Sequence, residues 1–69
     1  MTQKQWYKVE YVEIARDGIE QEEGCDFYEA ETPADAVDQC KRESERAGAK
    51  THSHKAAPAT ESEIRMHFR

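Results

Sequence analysis

Residues 27–48 constrain the fold of this chain more than any other stretch, because they combine a strand end, a turn and a capped helix. Thr32 suits the N-cap position, since its hydroxyl oxygen can accept a hydrogen bond from a free amide in the first helical turn. Pro33 follows at the first helical position, where its missing N–H costs nothing. Gly48 suits the position just beyond the helix, where the backbone often becomes left-handed. We therefore predict a helix over residues 33–47.

Two strands are predicted before this helix, joined as an antiparallel hairpin. Residues 6–14 are rich in β-branched and aromatic side chains, which is typical of a strand. Residues 25–31 are predicted as the second strand, leading into the turn before the helix. Residues 16–24 connect the two, and the pair Asp17-Gly18 is typical of a tight turn.

The second strand has an ambiguous parity, because Phe27 and Tyr28 are adjacent and only one of them can face the helix. Ala30 lies just before the helix, where a small side chain suits close approach of the two elements. This favours Tyr28 toward the helix and Phe27 toward the opposite face. The reverse parity, with Phe27 buried against the helix, is the alternative.

The C-terminal third of the chain allows two interpretations. Residues 48–63 are polar, with small side chains and one proline, which predicts a long polar loop. Residues 64–69 alternate apolar and basic side chains, which favours a third strand. The competing interpretation is a short C-terminal helix that begins after Thr60, with Thr60 and Glu63 forming a capping box.

Together these elements predict an α+β fold. The expected order is ββαβ, with a three-stranded antiparallel sheet and one helix packed on one face; the alternative is ββα with a short C-terminal helix. Residues 1–69 are expected to form a single small domain with residues 1–5 frayed. The predicted core comprises Tyr7, Val9, Tyr11, Tyr28, Ala30, Ala36, Val37, Cys40, Ile64, Met66 and Phe68.

The composition limits the core and the compartment. Apolar and charged residues each make up 36% of the chain, so the core must be small. No run approaches the ~20 apolar residues that cross a bilayer, so no membrane partner is predicted. The first residues lack the apolar segment of a signal peptide, which favours the cytoplasm. In that reducing compartment Cys25 and Cys40 are expected to be free thiols.

The charge is distributed unevenly along the chain. The formal net charge is −5, yet residues 17–38 hold nine acidic residues and no lysine or arginine. One interpretation is ordinary solvated surface, with acids that complement the positive end of the helix dipole. The other is an acidic lobe in the hairpin loop that selects a cationic partner and repels nucleic acid. The residues of this lobe are Asp17, Glu20, Glu22 and Glu23.

No pattern in the sequence predicts catalysis. Two cysteines and two histidines are the residue types of a zinc site, but they include no CxxC pair, so no metal is predicted. They are Cys25, Cys40, His52 and His54. The chain also lacks a glycine-rich phosphate loop and a nucleophile elbow. We therefore expect neither enzyme activity nor a cofactor.

The sheet face away from the helix is the best candidate for a functional surface, because one helix covers only one face. Under the favoured parities this face carries aromatic and basic side chains, which occur in protein interfaces and in nucleic-acid sites. Acidic neighbours and a pI near 5.1 favour a protein partner or a second copy of the chain, with nucleic acid as the alternative. The predicted binding residues are Trp6, Lys8, Phe27, Arg65, His67 and Arg69.

Overall fold

A computed structural model describes residues 3–68 as three strands and two helices. The elements follow the order ββαβα: β1 (Gln5–Ile14), β2 (Gln21–Ala30), α1 (Pro33–Arg46), β3 (Lys50–Pro58) and α2 (Glu61–His67). The strands form one antiparallel sheet in the order β2-β1-β3, so β1 is central and the other two strands are edges. The predicted α+β class, with a three-stranded antiparallel sheet and a helix packed on one face, is confirmed.

The capped helix lies where the sequence predicts it. The hydroxyl oxygen of Thr32 accepts a hydrogen bond from the Asp35 amide at 3.1 Å, and Pro33 is the first helical residue. The helix ends at Arg46, one residue before the predicted end. Gly48 then adopts a φ of 73°, a left-handed conformation that glycine tolerates without steric cost.

The core lies between α1 and the face of the sheet that α1 covers. Tyr28 packs toward the helix with the half-buried Tyr11, Val37 and Ala56, so the favoured parity of β2 is confirmed. Small side chains on α1 let the helix approach the sheet closely, and the strands supply the large ones. The buried members are Tyr7, Val9, Ala30, Ala36 and Cys40.

The prediction for the third strand was wrong in position. β3 occupies residues 50–58, inside the predicted 48–63 loop, and residues 64–67 are helical instead of extended. The sequence pattern did not predict β3, because a bulge interrupts its pairing with β1. The bulge lies opposite the stretch from Glu10 to Val12, and Ser53 within it adopts a positive φ of 58°. A bulge breaks the two-residue periodicity by which strands are recognised. The strand also contains few of the residue types that favour β-structure.

The C-terminal segment follows the competing interpretation, a short helix with a capping box. The Thr60 hydroxyl accepts from the Glu63 amide at 3.1 Å, and the Glu63 carboxylate accepts from the Thr60 amide at 3.0 Å. These two bonds satisfy the amides of Thr60 and Glu63 within the segment itself, whereas in a strand they would need hydrogen-bond acceptors on a neighbouring strand. Ile64, Met66 and Phe68 consequently lie outside the core, which corrects their prediction as core residues; Met66 and Phe68 are exposed.

The two ends of the chain and the hairpin also differ from expectation. Gln5 belongs to β1, which corrects its prediction as part of a frayed end; residues 1 and 2 lie outside the described range. β2 begins four residues earlier than predicted, which reduces the connection to residues 15–20. The turn in this connection is stabilised by the Asp17 carboxylate, which accepts hydrogen bonds from the amides of Ile19 and Glu20 at 2.9 and 3.1 Å.

Candidate functional site

The face of the sheet opposite α1, here called the far face, is partly covered by α2. Tyr7 and Val9 point toward α1, so the alternate residues of β1, including Trp6 and Lys8, point away from it. Phe27 lies beside Lys8 in the register of β1 and β2 and shares its face. After β3 the chain returns across this face, and α2 lies over one end of it.

Four rings form a continuous set of contacts where α2 meets the far face. The ring centroids of Trp6 and Phe68 are 4.9 Å apart, those of Phe68 and His67 are 4.7 Å apart, and those of His67 and Phe27 are 4.6 Å apart. We call these four residues the aromatic strip. The aromatic strip joins β1, α2 and β2, so its ring contacts form only when these three elements are packed together.

The outer side of the aromatic strip is accessible. Trp6 and Phe27 are half-buried beneath α2, whereas His67 and Phe68 are exposed. Phe68 retains 55% of its possible exposure, and the neighbouring Met66 retains 68%. Large apolar side chains with this exposure at the end of a short helix do not contribute to the core, so their contribution to folding is small.

The cation at the centre of the far face is already neutralised within the chain. Lys8 Nζ lies 2.6 Å from a carboxylate oxygen of Glu63 on α2 and 3.6 Å from one of Glu10. The hydrogen bond from Lys8 and the backbone bond from Thr60 lower the pKa of Glu63 to about 2. The same hydrogen bond raises the pKa of Lys8. This ion pair between Lys8 and Glu63 holds the first turn of α2 against β1.

The six residues predicted for this site divide into three groups. Trp6, Lys8, Phe27 and His67 are brought together by α2 and the two strands. Arg65 lies apart from them, because its guanidinium pairs with Glu61 at 2.7 Å on the solvent side of α2. Arg69 lies outside the described residues. Phe68 is the member that the prediction missed, although the competing helical interpretation groups it with Ile64 and His67.

Acid should release α2 from the far face. Because the pKa of Glu63 is depressed from 4.5 to about 2, the stabilisation that its charge gives is complete above pH 4.5 and is lost as the pH falls toward 2. Trp6 fluorescence, recorded from pH 6 to about pH 1.5, should therefore change below pH 4.5 as the Phe68 contact is lost.

Glu63→Gln isolates this carboxylate from the other acids that titrate in the same range. It should show the released Trp6 signal already at neutral pH, without the acid transition. An unaltered acid transition in Glu63→Gln would show that the Lys8 pair does not hold α2 in place.

The predicted acidic lobe separates into a turn and a strand. Asp17 is engaged in closing the turn, and the backbone bonds from Ile19 and Glu20 lower its pKa. Glu22 and Glu23 belong to β2, where they face opposite sides of the sheet. Within residues 3–68 no three His, Cys, Asp or Glu side chains are arranged to hold a metal ion.

The four residues considered for zinc lie in different parts of the fold. Cys40 is buried against the sheet, and His54 stacks on Tyr11 on the same side with ring centroids 6.1 Å apart. Cys25 is exposed on the far face, and the ring of His52 bonds the Ser53 hydroxyl at 2.7 Å. Burial raises the pKa of the Cys40 thiol, and partial loss of contact with water at the sulfur raises the pKa of the Cys25 thiol although the residue as a whole is exposed. Both thiols are therefore poorer nucleophiles at neutral pH.

Comparison with models of protein families, with curated proteins and with solved structures found no match to this chain. In the part of the chain that the structure describes, neither helix has the length and apolar character needed to span a bilayer.

Proposed function

We propose that this chain is a non-catalytic protein-binding module, and that the aromatic strip is the centre of its binding surface for a protein partner or a second copy of itself. The observation that carries the proposal is the unbroken set of ring contacts from Trp6 through Phe68 and His67 to Phe27, with Phe68 still 55% exposed. Exposed aromatic side chains held by a rigid support supply much of the binding energy in protein interfaces.

The charges around the strip favour protein over nucleic acid. Lys8 on β1 and Arg65 on α2, described cations of the elements that form the strip, are already paired with Glu63 and Glu61. A phosphate backbone would have to displace these carboxylates and would also approach the acidic side chains of β2, which opposes binding. An apolar protein surface has neither cost.

The thiols support a non-catalytic role and a cytoplasmic location. Cys25 and Cys40 are the nucleophilic side chains of greatest intrinsic reactivity, and the raised pKa values of their thiols, caused by burial of Cys40 and partial desolvation of Cys25, make both less reactive. They lie on opposite faces of the sheet, so they cannot pair with each other within the folded chain, and the reducing cytoplasm would keep them free.

Phe68→Ser tests the proposal, because this side chain is exposed and its loss should leave the core intact. Tagged protein is incubated under reducing conditions with extract of the native host, and each captured protein is quantified. Phe68→Ser should lower the capture of a specific partner about tenfold or more, the effect of losing roughly 1.4 kcal/mol of binding. If the partner is a second copy, the variant should shift the sedimentation of the purified protein toward the monomer instead.

Ile19→Ser is the matched control. Ile19 is 81% exposed in the hairpin turn, at the end of the β1–β2 pair opposite to Trp6 and Phe27, so its replacement removes exposed apolar surface away from the strip. Equal capture and equal sedimentation by wild type, Phe68→Ser and Ile19→Ser would contradict the proposal. Saturable binding of single-stranded RNA or DNA at low salt that shifts the Trp6 indole resonance would favour the nucleic-acid alternative.

A further inference from the structure

β2 presents a free edge whose backbone orientation can be read from its neighbours. The Trp6 carbonyl accepts a hydrogen bond from the Ala59 amide at 2.9 Å, so the backbone groups of Trp6 point toward β3. Backbone direction alternates along a strand, so the even-numbered residues of β1 bond β3 and the odd-numbered ones bond β2. In the register of β1 and β2, the residues of β2 that bond β1 are therefore the even-numbered ones. The backbone groups that point away from the sheet belong to Gln21, Glu23, Cys25, Phe27 and Glu29.

Most of these outward groups have no partner within residues 3–68. The Glu29 carbonyl accepts from the Gln39 side chain at 3.0 Å, which closes the end of the edge next to α1. From Gln21 to Phe27 no such bond is made by the described residues. This leaves a straight row of alternating donors and acceptors, which is the template that an added strand needs.

The two edges of the sheet are not equally protected. The β3 edge carries the bulge at Ser53 and ends in Pro58, which has no N–H; both features oppose the addition of a strand. β2 pairs with β1 over ten residues in unbroken register and contains no proline. The fold therefore blocks one edge and leaves the other open.

The acidic charge of β2 determines which kind of strand could pair with its open edge. All the ionised side chains of β2 are acidic, and none of them forms an ion pair with another described residue. Two copies of β2 would repel each other, because like charges would face one another across the new pairing. A strand with lysine or arginine at alternate positions would instead place all its cations on one face of the sheet, where they would meet acidic side chains: Glu23 and Glu29 on the far face, or Glu22 and Asp26 on the other. The acidic side chains are Glu22, Glu23, Asp26 and Glu29.

We propose that β2 accepts an extended basic segment of the protein partner as a fourth strand of the sheet. The inference rests on the proposed function and adds the partner's chemistry to it. Phe27 links the two, since its ring belongs to the aromatic strip while its backbone groups belong to the open edge. Backbone hydrogen bonds between β2 and the added strand supply affinity. The partner's side chains that contact the Phe27 ring and the carboxylates of Glu23 and Glu29 supply selectivity.

The probe is a synthetic peptide of about nine residues that alternates lysine and valine, long enough to span the strand. Nitrogen-15-labelled protein is titrated with it, and amide hydrogen exchange is compared before and after. Saturable binding should protect the amides of Glu23, Cys25 and Phe27, while those of Gly24 and Asp26 are already protected by β1. The matching glutamate–valine peptide should not bind.

Cys25→Pro removes one outward amide without removing a bond to β1, since proline is tolerated at outward positions of edge strands. It should weaken peptide binding about tenfold or more, and Cys25→Ala should bind like wild type. A second variant, Glu23→Lys with Glu29→Lys, changes two exposed side chains and should reverse the preference to the glutamate–valine peptide.

The outcomes separate this inference from the proposed function. The inference is wrong if the lysine–valine peptide does not bind, if it leaves the outward amides unprotected, or if the charge-reversed variant keeps its preference. If Cys25→Pro still captures a host partner that Phe68→Ser loses, the open edge is not used, while the aromatic strip is. If both variants capture it as well as wild type does, both proposals fail.

Discussion

Tyr7→Ala is expected to leave most of the chain unfolded at room temperature. Tyr7 is 3% exposed on the central strand, opposite Tyr28 of β2 and Pro58 of β3, so its ring contributes to packing under all three strands. Truncating a buried aromatic side chain costs about 3–5 kcal/mol. The whole free energy of unfolding of a chain this short is only about 3–10 kcal/mol, so one substitution can remove most of it.

Urea denaturation followed by far-ultraviolet circular dichroism measures the effect. Tyr7→Phe is the matched control, because it keeps the ring and loses only the hydroxyl, which accepts a hydrogen bond from Gln5 Nε2 at 2.6 Å. That loss should cost about 1 kcal/mol. A cooperative transition for Tyr7→Ala at the wild-type midpoint would show that the core does not centre on this ring.

Gly24→Ala is expected to destabilise the hairpin by about 1–3 kcal/mol, the usual cost of overpacking a filled site. A Cβ atom at Gly24 would lie 2.5 Å from Cε2 and 2.6 Å from Cζ of Tyr11, the residue opposite it on β1. The Tyr11 ring is restrained, since its hydroxyl donates to Asp26 at 3.0 Å and His54 stacks beside it. Either the ring or the strand must therefore move.

A double-mutant cycle identifies the cause. In a Tyr11→Ala background the three side-chain atoms nearest to the added methyl group are gone, so Gly24→Ala should become neutral or stabilising there, as alanine fits a strand better than glycine does. Equal costs in both backgrounds would show that contact with the Tyr11 ring is not the reason for the glycine.

The parts of the fold that the sequence predicts correctly are those determined by local chemistry. Thr32 and Pro33 start α1 through bonds and dihedral preferences within a few residues, and the aromatic and β-branched residues of β1 indicate a strand by themselves. Ala30 correctly indicated the parity of β2, because a small residue before the helix allows the close approach that buries Tyr28.

The position of the third strand depended on features that are not local. β3 is stabilised by pairing with β1, and its bulge at Ser53 hides the alternation that would have revealed it. Residues 64–69 alternate like a strand, but the capping box at Thr60 and the ion pair between Glu63 and Lys8 favour a helix. The partner of Glu63 lies more than fifty residues earlier in the chain, so periodicity could not reveal it.

Four of the six residues predicted for the candidate site lie close together, and only three of them do so for the predicted reason. Trp6, Lys8 and Phe27 follow from the parities of β1 and β2, which hold. His67 reaches the same surface on a helix instead of the expected strand, and Phe68 was assigned to the core because strand spacing placed it with Ile64. Helical spacing at the C-terminus is the signal that would have found it.

The position of α2 on the far face is the most direct test of this account, because the aromatic strip exists only if α2 lies there. The decisive measurement is a nuclear Overhauser spectrum of the isotope-labelled chain in solution. We expect cross-peaks between the Trp6 indole and the Phe68 ring, and between the Phe27 and His67 rings, with helical chemical shifts over residues 61–67. Extended shifts over residues 64–68, with no cross-peak from Phe68 to Trp6, would contradict it.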